Sequence, residues 1–118
     1  MDKSLRISIV GPCAAGKTTL ITALRDHGYN AKHIAQEHSY VPAMWQIMTH
    51  PDVLIFLDAA YETTLLRRKL SWTTQEYTEE QYRLAHARQH ADLCINTDSL
   101  TPEQVLAEVL GFLQSERR

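Results

Sequence analysis

Little in this chain of 118 residues could staple it covalently, for it holds only two cysteines, Cys13 and Cys94. Neither belongs to a C-x-x-C pair or to a metal-ligand spacing, so no disulfide framework or zinc ribbon is expected, and both read as reduced intracellular thiols. Glycine and proline are scarce, four of each, which excludes collagen-like and low-complexity classes. Long apolar runs are missing as well: the longest, Val53–Leu57, falls far short of the roughly 20 residues that span a bilayer. Nor is there an excess of one charge. Twelve Lys and Arg against fourteen Asp and Glu leave a net charge of −2, so no overall field draws the chain to nucleic acid or to an anionic membrane. The opening MDKSLRISIVG places Lys3 and Arg6 around a short apolar run without an h-region, unlike a signal peptide. These absences lead to the expectation of a soluble, cytoplasmic protein with no membrane and no nucleic-acid partner.

What is present is an ordinary globular composition, 44% hydrophobic and 22% charged, in a length that suits a single domain over 1–118. Apolar and β-branched residues fill Leu5–Val10 and stop at Gly11-Pro12, the pattern of a buried strand. From Lys17 the period becomes helical, with Leu20, Ile21, Ala23 and Leu24 on one face and His27-Gly28 as the stop. A short strand is expected at about Ala31–Ala35, then a polar loop Gln36-Glu37-His38-Ser39, then a short helix or irregular lid element over Val41–Met48. Val53–Leu57 is the clearest strand, continuous and apolar as a parallel strand covered on both faces should be. The spacing predicts a helix from Glu62 to about Leu70, an interruption at Trp72-Thr73-Thr74, a second helix over Glu79–His90 capped by Thr78, and a strand at Leu93–Asn96. Thr101-Pro102-Glu103-Gln104 opens the last helix with a capping-box pattern and Pro at its first position. Strands alternating with helices imply parallel pairing, hence an α/β fold, a three-layer α/β/α sandwich with a parallel sheet of about four strands. Ligands bind beyond the carboxyl ends of such strands, which here are Gly11–Gly16, Gln36–Ser39, Asp58–Tyr61 and Thr97–Leu100.

One of those ends carries a specific motif. Gly11-Pro12-Cys13-Ala14-Ala15-Gly16-Lys17-Thr18 matches G-x-x-x-x-G-K-[ST] in full, between a strand and a helix, and points to a P-loop NTPase fold. Glycine at both ends lets the loop turn its N–H groups inward around a phosphate, and the positive end of the following helix points at the same anion. Lys17 is expected on the β- and γ-phosphates, the Thr18 hydroxyl on Mg²⁺ and Thr19 on the α-phosphate, so the expected cofactors are ATP and Mg²⁺. Cys13 reads as a small filler in the loop rather than a nucleophile. Asp58, after the apolar strand, fits either a Walker B carboxylate holding Mg²⁺ through water or a cap of the next helix. His86 and His90 share a helical face at i, i+4 but lack the H-E-x-x-H pattern and a third ligand, and read as solvated. Trp45 reads as core or as the wall of an acceptor pocket.

From Gly11 through Leu20 the chain resembles the small P-loop kinases, the group that includes nucleoside-monophosphate, shikimate, gluconate and dephospho-coenzyme-A kinases. Val53-Leu54-Ile55-Phe56-Leu57-Asp58-Ala59 with Leu65-Leu66-Arg67-Arg68 is similar to their late strand and the arginine-bearing helix leading to the LID. Arg88-x-x-Ala91-Asp92-Leu93-Cys94-Ile95-Asn96-Thr97-Asp98 with Leu100-x-Pro102-Glu103-x-Val105 is similar to their last strand and closing helix. The resemblance implies that Glu37 binds or deprotonates an acceptor hydroxyl, with His38 as a weaker base beside it; an exposed loop carboxylate is the other reading. It implies that Arg67 or Arg68 neutralises charge on a transferred phosphoryl group, against the alternative of a solvated helix face. It places Thr97–Leu100, with Asp98, against adenine, and it weakens the Mg²⁺ role of Asp58, whose strand is usually not the metal-carrying one in these kinases. The chain departs from them in being shorter, with too few residues before Val53 for a full acceptor domain plus another strand, and its LID candidate, Ser71–Thr78, is short and lacks arginine. The expected function is a Mg²⁺-dependent phosphotransferase moving the γ-phosphate of ATP to a small metabolite or nucleotide. A non-catalytic nucleotide-binding module is the alternative and a hydrolase the third reading; the acceptor and the oligomeric state are not legible.

Overall fold

The computed structural model describes residues 5–68 and 72–115. β1 (Arg6–Val10), β2 (Asn30–His33), β3 (Val53–Asp58) and β4 (Leu93–Asn96) form one sheet in the order β2-β1-β3-β4, each neighbouring pair parallel. Ile9 stands opposite His33 on one side and Ile55 on the other, and Phe56 stands opposite Cys94. Parallel neighbours cannot be joined by a tight hairpin, so every connection carries a helix. α1 (Lys17–Asp26) links β1 to β2, α2 (Met44–Thr49) links β2 to β3, α3 (Tyr61–Arg68) and α4 (Thr74–His90) link β3 to β4, and α5 (Pro102–Ser115) closes the chain.

The two-residue period of a strand sorts side chains between the two faces of the sheet. Ile7, Ile9, Val53, Ile55 and Leu57 cluster with Leu20, Ile21 and Leu24 of α1 and with Val105, Val109 and Leu113 of α5. Val10, Leu54 and Phe56 belong to a second cluster with Trp45 of α2 and Leu84 and Ala87 of α4. Helices therefore cover both faces, the three-layer arrangement expected from the alternation of elements. Val53 through Leu57 are all buried; at roughly 1.5–3 kcal/mol for each fully buried aliphatic or aromatic side chain, this strand anchors both cores.

Because β1 leads to β2 on one side while β3 and β4 lie on the other, the chain diverges between β1 and β3, the position where open parallel sheets present a crevice. Gly11 begins the loop at that crevice. A Cβ built on Gly11 would lie 2.0 Å from the Leu57 carbonyl oxygen, and its φ of +156° is one that side chains disfavour, so only glycine lets the loop leave β1 this close to β3.

Several boundaries differ from the sequence expectation. α4 begins at Thr74, five residues before the expected Glu79, because Thr73 and Glu76 form a capping box: the Thr73 hydroxyl accepts from the Glu76 N–H at 3.1 Å, and the Glu76 carboxylate accepts from the Thr73 N–H at 2.9 Å. Thr78 is thus interior to a helix rather than its cap, and Thr74–Thr78 of the expected LID is the start of α4; Ser71, Lys69 and Leu70 lie outside the described residues. β2 ends at His33, short of the expected Ala35, because the Gln36 N–H bonds the Ile34 carbonyl and turns the chain into a short 3-10 turn, Gln36–His38. Among the described residues, no helix is long and apolar enough to cross a membrane.

Candidate functional site

The loop between β1 and α1 is held by its backbone rather than by its small side chains. Ala14 at φ +67° and Gly16 at φ +96° both take the left-handed conformation; Gly16 does so without cost, whereas Ala14 carries backbone strain of the kind concentrated in ligand clamps. The Ala15 N–H closes a turn on the Pro12 carbonyl at 3.3 Å. α1 then starts at Lys17 with no side-chain cap at Gly16. The first N–H groups of a helix have no intrahelical partner, so this end is available to an acceptor.

Lys17 folds back across the loop. Its side chain is 7% exposed, and its ammonium donates to the Gly11 carbonyl at 2.5 Å and pairs with Glu37 Oε2 at 2.5 Å. Glu37 is not an exposed loop carboxylate: the 3-10 turn carries it inward to 3% exposure. Burial by itself raises the Glu37 pKa, but the His33 imidazole at 3.8 Å and the charge and hydrogen bond of Lys17 outweigh it and hold the carboxyl below its ordinary value. Its second oxygen, Oε1, is buried and has no hydrogen-bond partner among the described residues. Such an acceptor is costly unless something donates to it.

Arg67 also reaches the loop. Its Nη1 donates to the Ala14 carbonyl at 3.1 Å and to the Thr97 hydroxyl at 2.8 Å, and its Nη2 donates to the Thr97 carbonyl. Thr97 is buried, with its hydroxyl oxygen 3.2 Å from the Ala15 carbonyl and 3.1 Å from that of Asp58, so loop, α3 and β4 exit are tied at one residue. Two cavities meet here. One, of about 490 Å³, is lined by Cys13, Ala14, Gly16, Lys17, Thr18, Thr19, His33, Glu37, His38 and Arg67. The other, of about 210 Å³, is lined by Ala15, Gly16, Thr19, Leu20, Arg67, Thr97, Leu100, Pro102 and Val105 and is mostly apolar. Gly16, Thr19 and Arg67 border both.

Of the residues singled out by sequence, Gly16, Cys13, Ala14, Ala15, Lys17, Thr18, Thr19, Glu37, His38 and Arg67 come together around these cavities, and Gly11 and Pro12 form the loop's entry. Asp58 and Asp98 line neither cavity. Asp58 pairs with Arg88 at 3.0 Å and accepts from Gln81 at 3.3 Å. Asp98 accepts the Ala60 N–H at 2.9 Å, holding the entry to α3; partial burial raises its pKa, but that bond, Thr63, Asn96 and the charge of Arg67 together lower it. The Arg68 side chain lies outside what the structure describes. Trp45 is core, its indole N–H bonded to His86 Nδ1 at 3.1 Å, and His86 stacks on His90 at 4.3 Å.

Sequence reasoning missed Glu80. This α4 carboxylate, 5% exposed, accepts the Cys13 N–H at 3.1 Å on one oxygen and the Cys13 thiol at 3.2 Å on the other. Burial and Glu80 push the Cys13 thiol up to about 11, so it is protonated at neutral pH, in keeping with a filler rather than a nucleophile. Arg83, weighed in the sequence with the same caution as Arg67 and Arg68, donates to the Glu37 carbonyl at 3.2 Å and to the Tyr40 hydroxyl at 2.7 Å and so braces the 3-10 turn from α4. No known family model matches the chain, and no curated protein matches it.

Proposed function

We propose that the chain is a P-loop nucleotide-binding protein that takes ATP with Mg²⁺ at Gly11–Thr18 and transfers the γ-phosphate to a small hydroxyl- or phosphate-bearing acceptor. The observation that carries this reading is the convergence, in one cavity, of a strained backbone loop, an uncapped helix N-terminus and the Lys17 ammonium. Together these supply N–H donors, a partial positive charge and a full one, the requirements of a polyphosphate. The residues present also suit the rest of the ligand. The smaller cavity, walled by Leu20, Leu100, Pro102 and Val105, shares its rim with the phosphate cavity and has the apolar character that a planar base needs.

In this reading Lys17 and the loop N–H groups hold the phosphates, and the exposed Thr18 hydroxyl is the protein ligand of Mg²⁺. Bound Mg²⁺ supplies charge neutralisation on the phosphates. Arg67, already fixed by Ala14 and Thr97, stands at the border of both cavities as the cation for charge developing on the phosphoryl group. Glu37 is ionised at neutral pH and keeps one unpartnered oxygen, Oε1, as acceptor for the proton of an acceptor hydroxyl.

A second reading, nucleotide binding without transfer, draws on the same Glu37. Its lowered pKa and its pairing with Lys17 make it a weak base. Incubation of the full chain with γ-labelled ATP, Mg²⁺ and a pool of small metabolites separates the two. Labelled metabolite is the result expected of the phosphotransferase, whereas nucleotide binding with neither labelled metabolite nor released phosphate would establish the binding module.

A further inference from the structure

Cys13, His38 and Glu80 come from three separate elements, the phosphate loop, the 3-10 turn and α4, yet the ligating atoms of all three lie within 4.8 Å of one another. We propose that they form a site for a thiolate-binding divalent cation, Zn²⁺, independent of whether the phosphate loop that carries Cys13 binds a nucleotide. Thiolate, imidazole and carboxylate are the three ligand types of Zn²⁺, and sulfur selects it over the hard ion Mg²⁺.

The distances are close to those of a coordinated ion. Tetrahedral Zn²⁺ with ordinary bond lengths sets its sulfur, nitrogen and oxygen donors about 3.3–3.6 Å apart. Cys13 Sγ already lies 3.2 Å from Glu80 Oε2 and 4.0 Å from His38 Nε2. The adjustment falls on His38, whose side chain is exposed and whose ring can turn, while Cys13 and Glu80 stay in place.

Glu80 is the second observation. It is buried, no cationic side chain pairs with it among the described residues, and both its oxygens are spent on Cys13, one on the N–H and one on the thiol. A buried carboxylate lacking a counter-charge is costly. A cation bound between Cys13 and Glu80 supplies that charge: the S–H bond breaks, its proton goes to solvent, and the sulfur–metal bond replaces it. Three protein ligands leave one position, and Cys13 and His38 both line the larger cavity, so that position opens on it. The ion would also pin the phosphate loop to the turn that carries Glu37.

Titration of the reduced full chain with Co²⁺ and Zn²⁺ tests the site. Co²⁺ should produce a thiolate-to-metal charge-transfer band with the visible bands of a four-coordinate ion, and the stacked His86–His90 pair cannot supply the former because it holds no sulfur. Cys13→Ser should abolish the charge-transfer band and Cys94→Ser should keep it. By competition with a chromophoric chelator, His38→Ala and Glu80→Gln should each weaken Zn²⁺ binding by at least about 10-fold. His38→Ala removes an exposed ring, so its loss of affinity cannot be put down to unfolding. Absence of a charge-transfer band in the wild type, a band that follows Cys94 instead of Cys13, or unchanged Zn²⁺ affinity in both His38→Ala and Glu80→Gln would overturn the proposal.

Discussion

At the scale of single residues, the Lys17–Glu37 pair governs both stability and chemistry. A phosphate-binding lysine in a solvent-open loop would be removable without harm to the fold, but this one is buried against a buried carboxylate. Removing one partner of such a pair strands the other. Lys17→Ala should therefore destabilise the protein by about 3–5 kcal/mol, and Lys17→Ala combined with Glu37→Gln by distinctly less. Chemical denaturation of Lys17→Ala, Glu37→Gln and the double variant measures this, and a double-variant loss equal to the sum of the two single losses would mean that the pair is not coupled. The pH dependence follows from the sign of the shift. Glu37 has its pKa lowered from an ordinary 4.5, so its contribution to stability is full above that value and is lost as pH falls through the lowered native value. In acid titrations of stability, Glu37→Gln should differ from the wild type at neutral pH and converge on it only as pH falls through the lowered native value of Glu37.

The elements were legible where their pattern is local. β1, α1, β3, β4 and α5 follow from apolar runs, a helical period and caps within a few residues of each other, and each lies within two residues of its expected bounds where those were set. The start of α4 was missed because Thr78 competes on paper with Thr73, and only Thr73 has a Glu three residues on whose carboxylate returns to its N–H. That cap makes a prediction of its own. Thr73→Ala should cost about 1 kcal/mol and fray the first turn of α4, read as a lowered denaturation midpoint and as faster amide exchange confined to the first residues of α4. The same helix explains what could not be read from sequence. Glu80 meets Cys13 across 67 positions of chain and Arg83 meets the Glu37 carbonyl across 46, so both contacts arise from the packing of α4 beside the 3-10 turn. No local spacing records them.

At the scale of the whole molecule, one parallel sheet brings the ends of β1, β2 and β4 to a single crevice, where the loop, the 3-10 turn and the Thr97 exit face two adjoining cavities. The motif Gly11–Thr18 lies at this crevice, whereas the partners of Asp58 and Asp98 depended on tertiary packing and hold both outside the two cavities. The central claim is that this crevice holds a nucleoside triphosphate with Mg²⁺. Calorimetric titration of the full chain with ATP, with and without Mg²⁺, measures it most directly, compared with Thr18→Ala, whose exposed hydroxyl carries no packing. The account predicts saturable one-to-one binding that Mg²⁺ strengthens, with Thr18→Ala losing the Mg²⁺-dependent part of the affinity while the fold is kept. An absence of saturable binding up to about 1 mM ATP, or a Thr18→Ala variant that loses affinity equally with and without Mg²⁺, would contradict it.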